Sequence, residues 1–206
     1  MTETPAALRD WLMPVVLENK WIRLEPLSLS HVDALAEVAE DPEIWRWLPV
    51  VAPTDAVEVR ALVQVGIDDH QRGDRIPFAV VRDGIAIGTT SYLDLSPEHR
   101  SVEIGWTWYG RSARRTTTNT ASKRLLLEHA FEEFAVRRVA FKTDSRNVPS
   151  NTALRRIGAT YEGTLRSHRV LPDGSRRDSA YYSILDTEWP GIRRKLDEML
   201  GGLGSS

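Results

Sequence analysis

Apolar and polar positions alternate over residues 21–27 (W-I-R-L-E-P-L), the period of a half-buried strand, and the run stops at Pro26 and Ser28. The spacing then becomes helical. Ser30 caps a predicted helix to about Ala39, and Thr54 opens a second one toward Gln71. Apolar runs at 77–81 and 85–93 flank Asp83-Gly84, a two-residue hairpin signal. Residues 101–108 read as the next strand, with Val102, Ile104, Trp106 and Trp108 on one face and Glu103, Gly105 and Thr107 on the other. A long helix is predicted over 117–134, carrying Leu125, Leu126, Leu127, Ala130, Phe131 and Phe134 on its apolar side. A short strand at 139–142 and a helix at 149–157, ended by Gly158, come next. Strands at 161–171 and 179–185 enclose Pro172-Asp173-Gly174, and a helix at 191–200 leads to a loose tail at 201–206. Hairpins first, then strand-helix-strand-helix, predict a mixed α/β sheet whose parallel pair lies late in the chain.

The 206 residues suit one domain with a sizeable core, and 41% hydrophobic with 27% charged residues is ordinary for a globular protein. No apolar run approaches the ~18 residues of a membrane span. The first residues lack a signal-peptide core, and the absence of cysteine excludes thiolate chemistry and suits the cytoplasm. Five histidines without ligand spacing give no metal site. The net charge of −2 hides an asymmetry. Residues 1–108 carry 18 acids and 9 bases (−9), whereas 109–206 carry 11 acids and 18 bases (+7). The split implies an anionic partner for the second half and a cationic one near the first.

The segment 109–124, Y-G-R-S-A-R-R-T-T-T-N-T-A-S-K-R, holds five bases, a run of hydroxyl side chains and no acid. It sits between a predicted strand and a helix start, where unpaired N–H groups and the helix dipole favour phosphate. A solvated cap with ordinary surface arginines fits the same residues.

E-I-G-W-T-W at 103–108, N-T-x-x-K at 119–123, L-L-L-E-H-A-F at 125–131 and T-D-x-R-N-x-x-S at 143–150 together resemble the GNAT acyl-CoA N-acyltransferase superfamily. L-R-R-I-G-A at 154–159, L-P-D-G-x-x-R-D at 171–178 and Y-Y-S-I-L-D-T-E-W-P at 181–190 continue the series. The branch it is most similar to contains the RimJ/RimL-like ribosomal-protein N-terminal acetyltransferases. The resemblance implies a twisted mixed α/β sheet flanked by helices, formed by residues 21–190. Residues 1–20 are then an extension and 191–206 a terminal helix and tail. It also implies acetyl transfer from acetyl-CoA to an amine, without metal, and is compatible with a homodimer.

By the same resemblance Glu103 is the base for the incoming ammonium, directly or through water; a structural ion pair is its bland alternative. Thr107 and Trp108 lie where pantetheine pairs with free backbone groups of the splayed strands, and Trp108 equally suits the core. Asn147 and Ser150 contact CoA or the leaving thiolate, or else are a turn residue and a helix cap. The family's pyrophosphate loop usually reads Q/R-x-x-G-x-G/A. Here Ser112 holds the first position, and Arg115 and Thr117 replace the glycines. Arg114, Arg115 and the hydroxyls of Thr116, Thr117 and Thr118, with Asn119 and Thr120 following, are then the phosphate donors. Leu154 stands where many members carry a general-acid tyrosine, which leaves thiolate protonation to Ser150, to water or to no group at all. Trp45 and Trp47 fall on the acceptor side, as core or as a border for a cationic amine.

The leading expectation is an acetyl-CoA-dependent N-acetyltransferase acting on a protein N-terminus or a small cationic amine. A CoA-binding module without catalysis follows from the missing glycines and tyrosine. A nucleic-acid-binding domain follows only from the basic second half and lacks a readout motif.

Overall fold

The computed structural model describes residues 6–202. In chain order the elements are α1 (Ala6–Trp11), β1 (Leu17–Glu18), β2 (Arg23–Pro26), α2 (Val32–Ala39), α3 (Ala56–Arg72), β3 (Arg75–Arg82) and β4 (Ile85–Ser96). They continue as β5 (Ser101–Tyr109), α4 (Thr118–Glu128), β6 (Arg138–Asp144), α5 (Val148–Ile157), β7 (Thr160–Val170), β8 (Arg176–Leu185) and α6 (Trp189–Gly202). The strands form one sheet in the order β1-β2-β3-β4-β5-β6-β8-β7, antiparallel except between β5 and β6. Asp83 and Gly84 both take positive φ, 53° and 78°, as a two-residue hairpin turn requires.

Helices cover both faces. Leu125, Leu126 and Leu127 of α4, Ile192 and Leu196 of α6, and Leu154 and Ile157 of α5 share a core with Phe78, Tyr92, Val102, Ile104 and Phe141. Val32 and Leu35 of α2 and Val59 and Val63 of α3 pack with Ala79, Val81 and Trp45 on the other face. Trp11 stacks on Phe134 at 4.7 Å, which binds the first helix to the larger core.

Several boundaries differ from the sequence reading. A 3-10 turn, Leu29–His31, precedes α2, so Ser30 lies inside the helical run rather than at its start. Asp55, not Thr54, caps α3: its carboxylate accepts the Glu58 N–H at 2.8 Å, while the Thr54 N–H and hydroxyl bond the Glu58 side chain. The long helix widens into a π turn over His129–Glu133, where His129 packs on Phe134 at 4.4 Å. Residues 203–206 of the expected tail lie outside the described residues.

The most consequential difference is in β5. Thr89 pairs with Trp108 but Ser91 with Gly105, so Thr90 faces two residues, and Trp106 takes φ 48°. This bulge resets the alternation. Val102 and Ile104 point to the α4 side, as expected, but Trp108 packs with Trp45 (5.3 Å) on the α2/α3 side. Thr107 takes the place assigned to Trp108, and its hydroxyl meets Lys123 of α4 at 3.2 Å. A constant period of two cannot register one extra residue.

Candidate active site

β5 and β6 pair only from Ser101↔Arg138 to Glu103↔Ala140. Beyond that point residues 104–109 and 141–144 run on unpaired with each other and diverge, opening a cleft of about 830 Å3. The site is built around this opening.

Glu103 is the last residue of β5 paired with β6 and is 7% exposed. Its carboxylate lies over Gly105, where a Cβ would stand 3.1 Å from Oε1 and 2.6 Å from Leu93. Oε2 is 2.7 Å from Lys142 Nζ, and the same ammonium is 2.6 Å from Asp94 Oδ2. Burial pushes the Glu103 carboxyl up, and Lys142 opposes the shift. For Lys142, burial works against its charge, but the two carboxylates together outweigh it and raise its pKa.

The cationic loop before α4 is only partly free. Arg114 is ion-paired to Asp41, whose carboxylate also caps the 3-10 turn Pro42–Trp47. Thr116 Oγ1 bonds Ala113 O at 2.7 Å and Thr118 Oγ1 at 2.9 Å, and accepts the Thr118 N–H. Thr118 and Thr120 are buried, and Thr120 accepts from Arg156. Arg124 pairs with Glu128 and Asp197, away from the loop. These five side chains are therefore taken up by contacts within the protein. Arg115, Thr117 and Asn119 remain, with the N–H groups of Asn119 and Thr120, for which no protein acceptor is found among the described residues. Arg115 occupies the family's first glycine position and adopts φ 61°, the left-handed conformation a glycine would reach without strain. The loop keeps the backbone shape and adds a cation to it. Thr117 is right-handed, at φ −65°.

Asn147 and Ser150 both line the cleft. Asn147 is the cap of α5, accepting the Ser150 N–H at 3.1 Å, so the capping role assigned to Ser150 belongs to Asn147. Leu154 is buried at the cleft wall and offers no proton. Trp47 borders the cleft, flanked by the Arg46 and Arg146 guanidiniums at 5.0 and 5.5 Å, whereas Trp45 is core.

Four further cleft residues have no specific role in the sequence reading. Lys142 arrives from β6, in a register that no local pattern reveals. Lys123 is 5% exposed, bonds only Thr107 among the described residues and lies 5.7 Å from the Phe141 ring; burial pushes its pKa down to about 7. Its place within N-T-x-x-K was the available signal. His168 bonds Ser179 (3.0 Å) and Tyr181 (3.3 Å), and Arg177 is buried beside it. Among the described residues of the first half, the acids that line the cleft are Glu43, Asp94 and Glu103. Arg114, Arg115, Lys123, Lys142, Arg156, Arg169 and Arg177 line it from the other half. Among the described residues no group of three or more His, Asp or Glu side chains is placed to hold a metal, and no helix is long and apolar enough to cross a membrane.

The acetyltransferase (GNAT) domain family matches residues 22–160. The chain belongs to that family. This acetyltransferase is 29% identical to YdaF of Bacillus subtilis (strain 168), named as a candidate ribosomal N-acetyltransferase, over 84% of the chain and 96% of YdaF. It is 24% identical to the ribosomal-protein-serine acetyltransferase of Escherichia coli (strain K12), over 81% and 94% of the two chains. A crystal structure from T. thermophilus, described as a candidate acetyltransferase, shares 35% identity with a TM-score of 0.82, covering 97% of this chain and all of that one. The protein is thus an acetyl-transfer enzyme of the RimJ/RimL-like kind, and its donor is acetyl-CoA. Unpaired strand edges in the cleft, open N–H groups at α4 and the free Arg115 fit the pantetheine and phosphates of that donor.

Proposed function

We propose that the enzyme is an N-acetyltransferase whose acceptor is a primary amine, attacked directly while both substrates are bound. The observation that carries this reading is the buried Glu103 at the fork of β5 and β6, held by Lys142 at 2.7 Å. Acetyl-CoA supplies the acetyl group as a thioester. Glu103 takes one proton from the incoming ammonium and passes it to solvent. The amine nitrogen bonds to the acetyl carbon as the C–S bond breaks, and the second ammonium proton offsets the charge of the CoA thiolate. In this reading Ser150, which lines the cleft, relays that proton, since Leu154 cannot. Arg115, Thr117, Asn119 and the open N–H groups of α4 hold the phosphates, with Arg114, Thr116, Thr118 and Thr120 shaping the loop. The main chain at Thr107 and Trp108 aligns pantetheine and the thioester oxygen, and Asn147 borders the thiol end.

In this reading residues 21–190 are the catalytic domain, working in the cytoplasm. The names of the relatives make ribosomal-protein N-termini the first acceptors to try. The test measures acetyl-CoA stabilisation by thermal shift, then CoA release with amines, N-terminal peptides and alcohols. Turnover with amines supports the proposal, and turnover confined to alcohols overturns it. Stabilisation by acetyl-CoA without turnover of any acceptor would favour the CoA-binding module that Leu154 suggests.

A further inference from the structure

Arg177 is an exception among the buried arginines. Arg75, also buried, is paired with Asp69 at 2.9 Å, and the partly exposed Arg124 with Glu128 and Asp197. Arg177 is only 9% exposed, yet no carboxylate lies within ion-pair distance of it among the described residues. Its Nε donates to Ser179 Oγ at 3.2 Å and its Nη1 to the Trp47 carbonyl at 3.3 Å. Nη2 has no protein acceptor among the described residues, so that end of the guanidinium remains open, and the residue lines the cleft. A buried guanidinium without a counter-charge is costly, and its planar fork matches a carboxylate.

The surroundings concentrate this character. Arg169 stands opposite Arg177 in the β7–β8 ladder and also lines the cleft, as does His168. The acids nearby are committed elsewhere: Asp144 to Arg146 at 2.8 Å, and Glu43 to Arg46 at 3.7 Å. Glu103, whose field reaches Arg177 less strongly than that of Asp144, is held by Lys142 at 2.7 Å. Burial lowers the Arg177 pKa, but a guanidinium stays protonated. Contacts to Trp47 and Ser179 place Arg177 with the Pro42–Trp47 turn and the last hairpin, not with the phosphate-facing start of α4.

Resting on the N-acetyltransferase reading, we propose that the acceptor carries a carboxylate close to its amine. Glu103 receives the ammonium, and Arg177, backed by Arg169, receives the carboxylate. This reverses the cationic preference suggested by the acidic first half, whose acids mostly lie outside the cleft. A free amino acid and a peptide with an acidic residue near its N-terminus both carry the required pair.

The test uses the full chain with saturating acetyl-CoA. One arm compares free α-amino acids with their carboxamides and decarboxylated amines. The other compares N-terminal peptides with Asp or Glu at the second position against Asn or Gln. The expected result is a kcat/KM preference of about 10²-fold for the carboxylate member in one arm, set mainly by KM. R177M should bring that ratio close to one, and R177K should restore part of it. Equal or better turnover of the neutral members overturns the inference and leaves amine acetylation standing. No turnover of any amine overturns both. An R177M effect confined to acetyl-CoA affinity would reassign the arginine to the donor and also overturn the inference. Should R177M fail to fold, the preference of the parent enzyme decides alone.

Discussion

Lys142 Nζ lies 2.7 Å from Glu103 Oε2, so the carboxylate proposed as base is buried as an ion pair. Burial raises its pKa and Lys142 pulls it back. A base works only when deprotonated, so kcat/KM falls as pH drops through the Glu103 pKa. K142M leaves burial and the Asp94 charge unopposed and should move that acid limb to higher pH. E103Q should lower kcat/KM by ~10²–10⁴-fold with acetyl-CoA affinity retained. The pH–rate profile is the deciding measurement. An acid limb that stays in place in K142M assigns the titration to another group.

Arg114 and Arg115 are neighbours with different expected effects. Arg114 is tied to Asp41, and Arg115 is free at φ 61°. R115A should weaken acetyl-CoA binding and flatten its salt dependence, whereas R114A should leave the salt slope near that of the parent. R115G separates charge from strain: it loses the cation but relieves about 1 kcal/mol of left-handed strain, so its Tm should exceed that of R115A. Calorimetric titration at two ionic strengths checks the first part. Equal salt slopes for R114A and R115A would refute it.

Gly88 faces the bulged strand. A Cβ there would stand 2.2 Å from the Trp108 carbonyl oxygen, which is backbone and cannot step aside. G88A should destabilise the fold by about 3 kcal/mol, read as a drop in the urea midpoint. G84A, at a turn with open space around it, pays only the conformational cost and should lose about 1 kcal/mol. Similar losses would mean that β5 shifts to make room.

Lys123 is buried with a pKa near 7, well below that of an unfolded lysine. Between about pH 7 and 10 the unfolded chain binds more protons, so this group makes stability rise with pH there and lose that gain as pH falls to 7. K123M should be more stable than the parent at pH 7, and the gap should close toward pH 10. Urea titrations across that range test it. A gap that does not vary with pH would show that Lys123 keeps its proton through contacts the fold provides.

The hairpin at Asp83-Gly84, the helix ended by Gly158 and the late parallel pair were all readable, because turn chemistry and hydrophobic period are local. Glu103 was readable as a carboxylate in the wrong company for a strand. Its partners were not: Asp94 and Lys142 reach it through a bulge in β4 and the β5–β6 register, which depend on contacts 9 and 39 residues away in sequence. The face assigned to Trp108 failed at the single bulge residue, Trp106. The charge halves pointed to partners but not to a site, since net charge along a chain says nothing about which side chains turn inward.

The sheet is mechanically two leaves bound along a spine three residues long. Residues 101–103 and 138–140 are the stitching, and past them each leaf presents a bare edge to the same slot. A ligand lying extended in that slot would be gripped by both leaves and act as a rivet between them. Donor occupancy would then set how firmly the enzyme holds its own halves together, and a molecule without donor would be the looser one. Amide exchange at Val102 and Val139 reads that tightening directly, before any acetyl group has moved.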